Sequence, residues 1–332
     1  MFSVNKTATV TDATHGVGHV VAARFARKVK VAFCGRARSI AWLAVAIGLG
    51  LLAAWGGREP QRDRTVMVTD DYGRQVSVPA APRRVVSLSP AVTEIVFALG
   101  AEELLVGRTD FCSYPPGAAR VPSIGGISNL NIEKILSLDP DLVISGSMVS
   151  KRVTDQMDAL GVPMVCVVEK PRFEALYDNI AAIGRLVDRE HEADSLNALL
   201  HQRVDALVVD TTAQSRNQAL PTVYYVVGFG AGGNFTAGGN TFINDIIRMA
   251  GGRNVAEDVT GWSYSMEALV QENPDYIVVR REDSAAFCGM RPYNSLQAVR
   301  EGRVIGMESG TFDLQVPRNI DAVLALRRHL TP

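Results

Sequence analysis

Two glutamates occupy matching positions in a segment that occurs twice in the chain. The copies run from Ile132 to Ile144 and from Met266 to Val278, and in each a Glu is followed seven positions later by Pro-Asp. Glu133 and Glu267 fall in the first turn of a predicted helix, where the helix dipole favours an anion. The repeat indicates either simple stabilisation of two helix starts or two carboxylates on equivalent tips, an arrangement suited to docking on a twofold partner.

Aromatic side chains occur at loop positions that connect predicted strands to predicted helices. In α/β sheets these connections lie at the carboxyl edge of the sheet, which is where ligands bind. A cleft lined by flat apolar side chains suits a large, partly planar ligand. The candidate ligand-binding aromatics are Phe111, Tyr114, Phe229, Phe235, Trp262, Tyr264 and Phe312.

Side chains for catalysis or metal binding do not come together in the sequence. The five histidines lie in the N-terminal leader, on a predicted long helix or near the C-terminus, away from the strand ends that would border a cleft. A zinc or manganese site of His and carboxylates is therefore not expected. Motifs for a nucleophile elbow, a zinc protease or a P-loop are also missing. We expect a protein that is not an enzyme and needs no cofactor or metal.

One glycine-rich loop formally matches a dinucleotide motif. Residues 228–233 read GFGAGG after a predicted strand, but residues 234–239 prolong the loop where a dinucleotide site needs a helix start. We interpret this segment as a flexible loop that directs Phe229 and Phe235 toward a ligand.

The N-terminal residues differ in charge and hydropathy from the rest. Residues 1–40 carry a net charge of +6 and the remainder −7, and residues 40–55 are sixteen uncharged, mostly apolar residues. This pattern predicts an export signal, either cleaved or kept as an anchor. The acidic body argues against a nucleic-acid partner. In an oxidising compartment a Cys112–Cys288 disulfide is permitted but not implied, and Cys166 is expected in the core.

Short apolar runs alternate with segments of helical period in the rest of the chain, which predicts α/β lobes with largely parallel sheets. Strands are expected over residues 85–88, 104–107, 142–145, 164–168, 222–227, 276–279 and 304–307. Helices are expected at about 91–99, 132–138, 150–160, 240–250, 265–272, 293–301 and 316–330, with a long helix and a shorter one before it within 172–209.

The fold class is therefore α/β, with two Rossmann-like lobes built on central sheets and joined by a long rigid helix. A helical connector predicts a stiff pair of lobes with limited closure. The predicted parts are a leader and signal or anchor segment (1–57), a polar segment with a hairpin (58–82), an N-terminal lobe (83–188), the connector helix (189–210) and a C-terminal lobe (211–332).

Four segments carry a resemblance to a known family. Residues 84–100, 110–116, 131–144 and 239–252 resemble the periplasmic substrate-binding proteins of ABC importers for vitamin B12, ferric siderophores and haem. The similarity runs from about residue 66 to residue 330 and implies the two-lobed binding-protein fold with a helical backbone. It also implies that Glu133 and Glu267 dock on arginines of the permease dimer.

The resemblance also bears on the ligand. Phe111 and Trp262 stand at or near aromatic cleft positions of the vitamin B12 binders, whereas Ile127 replaces a cleft Trp and Leu314 stands where a ligand-contacting Arg is expected. Haem-binding members use a Tyr from the loop after the second strand, where Tyr114 can be placed. Carboxylate siderophores would require cleft arginines, for which the nearest candidates are Arg108, Arg280, Arg281 and Arg291.

These observations predict an extracytoplasmic solute-binding protein of an ABC importer, monomeric when free, that holds a bulky ligand between its lobes. A corrinoid is the preferred ligand, followed by a ferric siderophore or haem. Two alternatives stay open at this stage: a membrane-tethered sensor domain that keeps the apolar segment, and an enzyme on a similar two-lobed scaffold.

Overall fold

The computed structural model describes residues 64–127, 130–214 and 219–330, so the predicted leader and signal segment lies outside the described residues. An antiparallel hairpin of β1 (Thr65–Thr69) and β2 (Gln75–Pro79) comes first. The buried Asp70 carboxylate accepts a 2.7 Å bond from Arg74 Nη2, which also donates to the Met164 carbonyl at 2.9 Å. These bonds fasten the hairpin turn to the lobe that follows.

The N-terminal lobe is a four-stranded parallel sheet with helices between its strands. In chain order the elements are β3 (Val85–Ser87), α1 (Pro90–Ala98), β4 (Leu105–Arg108), α2 (Ile132–Ser137), β5 (Leu142–Ser145), α3 (Lys151–Ala159) and β6 (Met164–Cys166). The order of strands in the sheet is β4-β3-β5-β6, with Val85 opposite both Leu105 and Leu142.

Two antiparallel helices follow, α4 (Ala175–Leu186) and α5 (Glu190–Gln214). Gly184 lies where they meet, because a Cβ there would come within 2.5 Å of the Ala193 side chain. The predicted pair of a shorter and a long helix is therefore present, and α5 is the connector.

The C-terminal lobe is built on a second four-stranded parallel sheet. Its elements are β7 (Thr222–Tyr225), α6 (Phe242–Met249), β8 (Arg253–Asn254), α7 (Met266–Glu272), β9 (Tyr276–Arg280), α8 (Ser284–Gly289), α9 (Gln297–Arg300), β10 (Val304–Met307) and α10 (Asn319–Leu330). The order of strands in the sheet is β10-β9-β7-β8. Tyr293–Ser295 forms a single 3-10 turn before α9, so the predicted helix over 293–301 is broken in two.

Both sheets have the same topology. When the strands of each lobe are numbered in chain order, they lie in the order second, first, third, fourth from one edge of the sheet to the other. In the first lobe the strand pair at the centre is β3 and β5, and in the second it is β7 and β9. The internal sequence repeat fits this pairing, because α2 and α7 each precede the strand, β5 or β9, that pairs with the first strand of the lobe. The two-lobed α/β class is confirmed. β8 and α8 are not in the sequence prediction, because two strand residues and one short helix carry too little hydrophobic periodicity to be recognised.

The last helix begins three residues later than predicted. Asn319 is buried, accepts a bond from the Val316 backbone N–H at 2.8 Å, and donates to the carbonyls of Thr311 and Leu314. Its side chain therefore holds residues 311–316 as a loop that runs between the lobes.

One apolar core passes through both lobes. It joins Ile95 of α1, Ile183 of α4, Leu200 of α5, Ile246 of α6 and Leu326 of α10, all nearly inaccessible to solvent. The outer face of each sheet has a smaller core of its own. Separating the lobes would expose part of the shared core to water, a cost of about 25 cal/mol for each Å² of apolar surface.

Gly239 permits a close approach of the chain before α6, because a Cβ at this position would overlap the Glu257 carbonyl oxygen. We expect Gly239→Ala to lower the free energy of unfolding by about 1–3 kcal/mol or more, since backbone atoms must shift. Gly289→Ala is the matched control, because a Cβ at Gly289 would meet no atom within 4 Å and the residue ends a helix. Urea denaturation of both variants checks this, and equal stabilities would contradict the described packing.

Candidate functional site

A cavity of about 490 Å³ lies between the two lobes. We call it the interlobe cavity. The N-terminal lobe lines it with residues that follow β3, β4, β5 and β6, and the C-terminal lobe with Arg280 at the end of β9 and with residues 309–318 after β10. All these positions are at the carboxyl ends of parallel strands, the usual location of ligand sites in α/β sheets.

Three of the predicted ligand-binding residues line the interlobe cavity: Phe111, Tyr114 and Ile127. Phe111 is 61% exposed, and Met148, which the sequence analysis did not single out, is 76% exposed at the same cavity. A large apolar side chain with so high an exposed fraction costs free energy in water unless a binding partner covers it. These residues give the cavity an apolar wall on the N-terminal lobe.

The other predicted aromatics do not line this cavity. Phe312 is buried and stacks on Tyr225 with ring centroids 5.5 Å apart. Phe229 packs edge-on against Phe287, 5.3 Å away, in the outer core of the C-terminal lobe. Tyr264 belongs to the same core and donates through its hydroxyl to the Val255 carbonyl. The structure therefore places these three side chains inside the C-terminal lobe and not at the interlobe cavity.

The glycine-rich loop is held in place by backbone pairing around Phe235. Phe235 forms antiparallel bridges with Gly228 and Ser263, and its ring lies close to Gly228 and Gly233. The loop that was expected to be flexible is thus paired with neighbouring backbone at Gly228 and Ser263. Trp262, which is 47% exposed, lies beside it and accepts a backbone bond from Thr236 at 2.8 Å.

A buried ion pair crosses between the lobes at the cavity wall. Arg318 Nε lies 3.0 and 2.9 Å from the two carboxylate oxygens of Glu94, whose side chain is 5% exposed. Burial raises the pKa of Glu94 to about 7, against the opposing effect of the Arg318 guanidinium. The guanidinium carbon also lies 4.0 Å from the centre of the Tyr114 ring, a cation–π contact.

The second arginine of the cavity, Arg280, also lies near carboxylates, although its buried Nε has no hydrogen-bond partner among the described residues. Arg280 Nε lies 3.5 Å from Asp313 Oδ2, and its Nη1 lies 3.9 Å from Asp283. Glu169 accepts a hydrogen bond from the Ser147 hydroxyl. Both arginines that line the cavity therefore have a carboxylate partner. The sequence did not reveal Glu94, Asp313 or Arg318 as cavity residues, because the pairs form between segments up to 224 positions apart.

Of the other arginines considered from the sequence, Arg108 does not line the cavity. Its guanidinium donates to the carbonyls of Ala118 and Thr109, both at 2.9 Å, and so holds its own loop. Arg281 and Arg291 are exposed and are also outside the cavity lining. Leu314 lines the cavity where the family resemblance led us to expect an arginine.

Glu133 and Glu267 have equivalent surroundings on the two lobes. Each lies in the first turn of a short helix, α2 or α7, whose start is capped by the side chain of Asn131 or Ser265. Just after each helix, one residue adopts a left-handed backbone conformation. These residues are Asp139 after α2, with φ of 47°, and Asn273 after α7, with φ of 41°. The repeated sequence therefore produces the same local structure twice.

The described residues show no cluster of three or more His, Cys, Asp or Glu side chains placed to hold a metal ion. Cys112, Cys166 and Cys288 are free thiols, and Cys166 is buried as expected. Within residues 64–127, 130–214 and 219–330, none of the helices has the length and apolar character needed to cross a membrane.

Comparisons with known proteins agree with this geometry. A cobalamin-binding protein of Halobacterium salinarum is 29% identical over 310 residues, covering 86% of this chain and 82% of that protein. An uncharacterised ABC transporter substrate-binding lipoprotein of Bacillus subtilis is 28% identical over 305 residues, covering 88% of this chain and 96% of its own.

Among solved structures, a periplasmic haem-binding protein from Pseudomonas aeruginosa superposes with a TM-score of 0.70 at 28% identity, covering 76% of this chain and 93% of that one. The family model described as periplasmic binding protein matches residues 85–311, which include both sheets, the connector helix and most of the interlobe cavity. The chain therefore belongs to the periplasmic binding protein family.

Proposed function

We propose that this protein captures a corrinoid between its two lobes and delivers it to the permease of an ABC importer. The observation that carries the choice of ligand is the pairing of charges in the interlobe cavity: both arginines at its wall, Arg280 and Arg318, already have carboxylate partners. The cobalamin-binding relative, similar over most of both chains, supports the same ligand class.

The pairing of charged side chains in the interlobe cavity distinguishes corrinoids from haem and ferric siderophores as ligands. Haem carries two propionates and ferric siderophores commonly carry net negative charge, so both gain most from arginines that are free to bind an anion bidentately. A corrinoid presents mainly neutral amides at its edge. Such amides accept and donate hydrogen bonds without requiring an unpaired charge, which suits a cavity whose cations are neutralised.

The apolar wall supports a broad ligand. At about 490 Å³, the cavity is within the range of drug-sized ligand sites, so a corrinoid would extend beyond it. Phe111 and Met148 offer exposed apolar surface at that boundary. Trp262, exposed near the carboxyl edge of the second lobe, is proposed as a further contact to the part of the ligand that extends outside.

Haem is the second candidate, and one observation favours it. Tyr114 lines the cavity and is 39% exposed, so its phenol is accessible to a ligand. Haem-binding structures are also among those that resemble this chain. The Arg318 guanidinium carbon lies 4.0 Å from the centre of the Tyr114 ring, and this contact holds the phenol at the cavity wall.

For the partner, we propose that Glu133 and Glu267 contact arginines of the permease dimer. Both carboxylates sit at capped helix starts, and the lobes that carry them are built on related parallel sheets. We further propose that the apolar residues 40–55 direct export, since the B. subtilis relative is described as a lipoprotein. The sensor and enzyme alternatives have no observation in their favour among the described residues.

Loss of an aromatic wall should weaken ligand binding. We expect Phe111→Ala to weaken binding of cyanocobalamin by about 1–3 kcal/mol in isothermal titration calorimetry, the range for a packed aromatic contact. Trp262→Ala should also weaken binding of cyanocobalamin. Leu199→Ala is the control, because Leu199 is 52% exposed on the connector helix and outside the cavity lining. If Phe111→Ala binds like the unmodified protein, the ligand does not occupy the interlobe cavity.

Reversing the charge of Glu133 and Glu267 should abolish transport without weakening ligand binding. We expect the double variant Glu133→Lys, Glu267→Lys to keep its affinity for cyanocobalamin and to lose uptake, because like charges would face the permease arginines. Each single Ala variant should lose only about 0.3–1 kcal/mol of stability. Uptake of labelled cyanocobalamin by cells carrying the cognate importer is the measurement.

The matched control for this reversal is the double variant Glu190→Lys, Glu192→Lys. It makes the same change in net charge in the first turn of α5, away from α2 and α7. Uptake that survives reversal at 133 and 267 would exclude the docking role. Loss of cyanocobalamin binding in a folded single Ala variant would instead assign that glutamate to the ligand site.

A further inference from the structure

The Glu94–Arg318 pair leaves part of the guanidinium unused. Both carboxylate contacts are made through Nε, at 2.9 and 3.0 Å. Arg318 Nη1 is buried and has no hydrogen-bond partner among the described residues. An arginine normally uses its planar fork of N–H groups, and leaving a buried donor unpaired is costly. Arg318 also lines the interlobe cavity, so the guanidinium lies where an acceptor on a ligand can approach it.

Two side chains contact the guanidinium in this position, and a glycine leaves room for it. Glu94 binds it from the first lobe, and the Tyr114 ring packs against its face. Gly310 leaves room for it on the second lobe, because a Cβ at that position would come within 2.6 Å of Arg318 Nη2. The side chain of Arg318 is 11% exposed, so little water surrounds it. Its orientation is therefore fixed before a ligand arrives.

The carboxylate decides what kind of acceptor this guanidinium can bind. With Glu94 ionised, the pair has no net charge, and a ligand anion at Arg318 would also approach the Glu94 carboxylate. A neutral carbonyl oxygen meets no such repulsion. If the carboxylate were removed, Arg318 would be a poorly hydrated, uncompensated cation, which binds an anion strongly.

We infer that Glu94 is a specificity-determining residue: it neutralises Arg318 so that the guanidinium donates to neutral carbonyl groups of the ligand and disfavours carboxylates. The inference rests on the proposed function for its preferred ligand, but the role of Glu94 can be measured whichever ligand the unmodified protein prefers. The alternative is a purely structural role, in which the pair only holds the two lobes together. The experiment must distinguish that role from an effect on ligand specificity.

The experiment measures the affinities of unmodified protein and Glu94→Gln for cyanocobalamin, which presents neutral amides, and for haemin, which carries two propionates. Titrations are performed at pH 8, where the Glu94 carboxyl is mostly ionised because its pKa is about 7. We expect Glu94→Gln to bind haemin about tenfold more tightly, through a charge-assisted contact to Arg318. Affinity for cyanocobalamin should change by less than about threefold, because a glutamine at position 94 leaves the guanidinium donors of Arg318 in place.

Two variants control for charge and for folding. Glu301→Gln removes one carboxylate from an exposed pair with Arg303, outside the cavity, and should leave both affinities unchanged. The double variant Glu94→Gln, Arg318→Gln removes both charges of the pair and should lose the gain in haemin affinity. Thermal unfolding followed by circular dichroism shows whether each variant is folded.

A measurement on the unmodified protein keeps the inference testable if Glu94→Gln does not fold. Haemin dimethyl ester has the same ring and iron but no ionised propionates, so unmodified protein should bind the ester more tightly than haemin. Folded Glu94→Gln without a gain in haemin affinity, the same gain in the double variant, or tighter binding of haemin than of its ester would each overturn the role of Glu94. Preference of unmodified protein for haemin over cyanocobalamin would instead overturn the proposed corrinoid ligand.

Discussion

The apolar core shared by the two lobes is the constraint on which the rest of the structure depends. It runs from α1 of the first lobe beneath α4 and α5 to α6 and α10 of the second. Because the lobes cannot part without exposing it, the carboxyl edges of the two sheets stay opposite each other. Buried Gln315 reinforces this contact, since it bonds the backbone of Lys170 and Arg172 across the lobes. The interlobe cavity is the space that this arrangement leaves open.

Electrostatics give that space its chemical character. An arginine at a cavity wall suggests an anionic ligand when it is seen alone, but Arg280 and Arg318 are both accompanied by carboxylates. The same guanidinium that bridges the lobes through Glu94 therefore also sets the polarity of the site. Apolar contact from Phe111 and Met148 and hydrogen bonding from neutralised polar groups suit a broad ligand with an amide-rich edge.

Much of the fold could be predicted because its signals are local. Alternating strand and helix patterns located most elements, and the repeated Glu and Pro-Asp segments indicated two related lobes, each of which has a four-stranded parallel sheet. The site was less accessible. Phe111 and Tyr114 line the cavity, but Phe312 turns into the core against Tyr225, and sequence position alone does not give side-chain direction. Glu94 and Arg318 meet only after the whole chain has folded, so no spacing pattern marks them.

The most direct test of this account is a crystal structure of the protein with cyanocobalamin. We predict that the corrin ring lies between the lobes, against Phe111 on one side, with a carbonyl oxygen of its edge within hydrogen-bond distance of the Arg318 guanidinium. Cyanocobalamin bound at any other surface, or a crystal grown at saturating ligand with an empty interlobe cavity, would contradict the central claim that a corrinoid binds at this cavity.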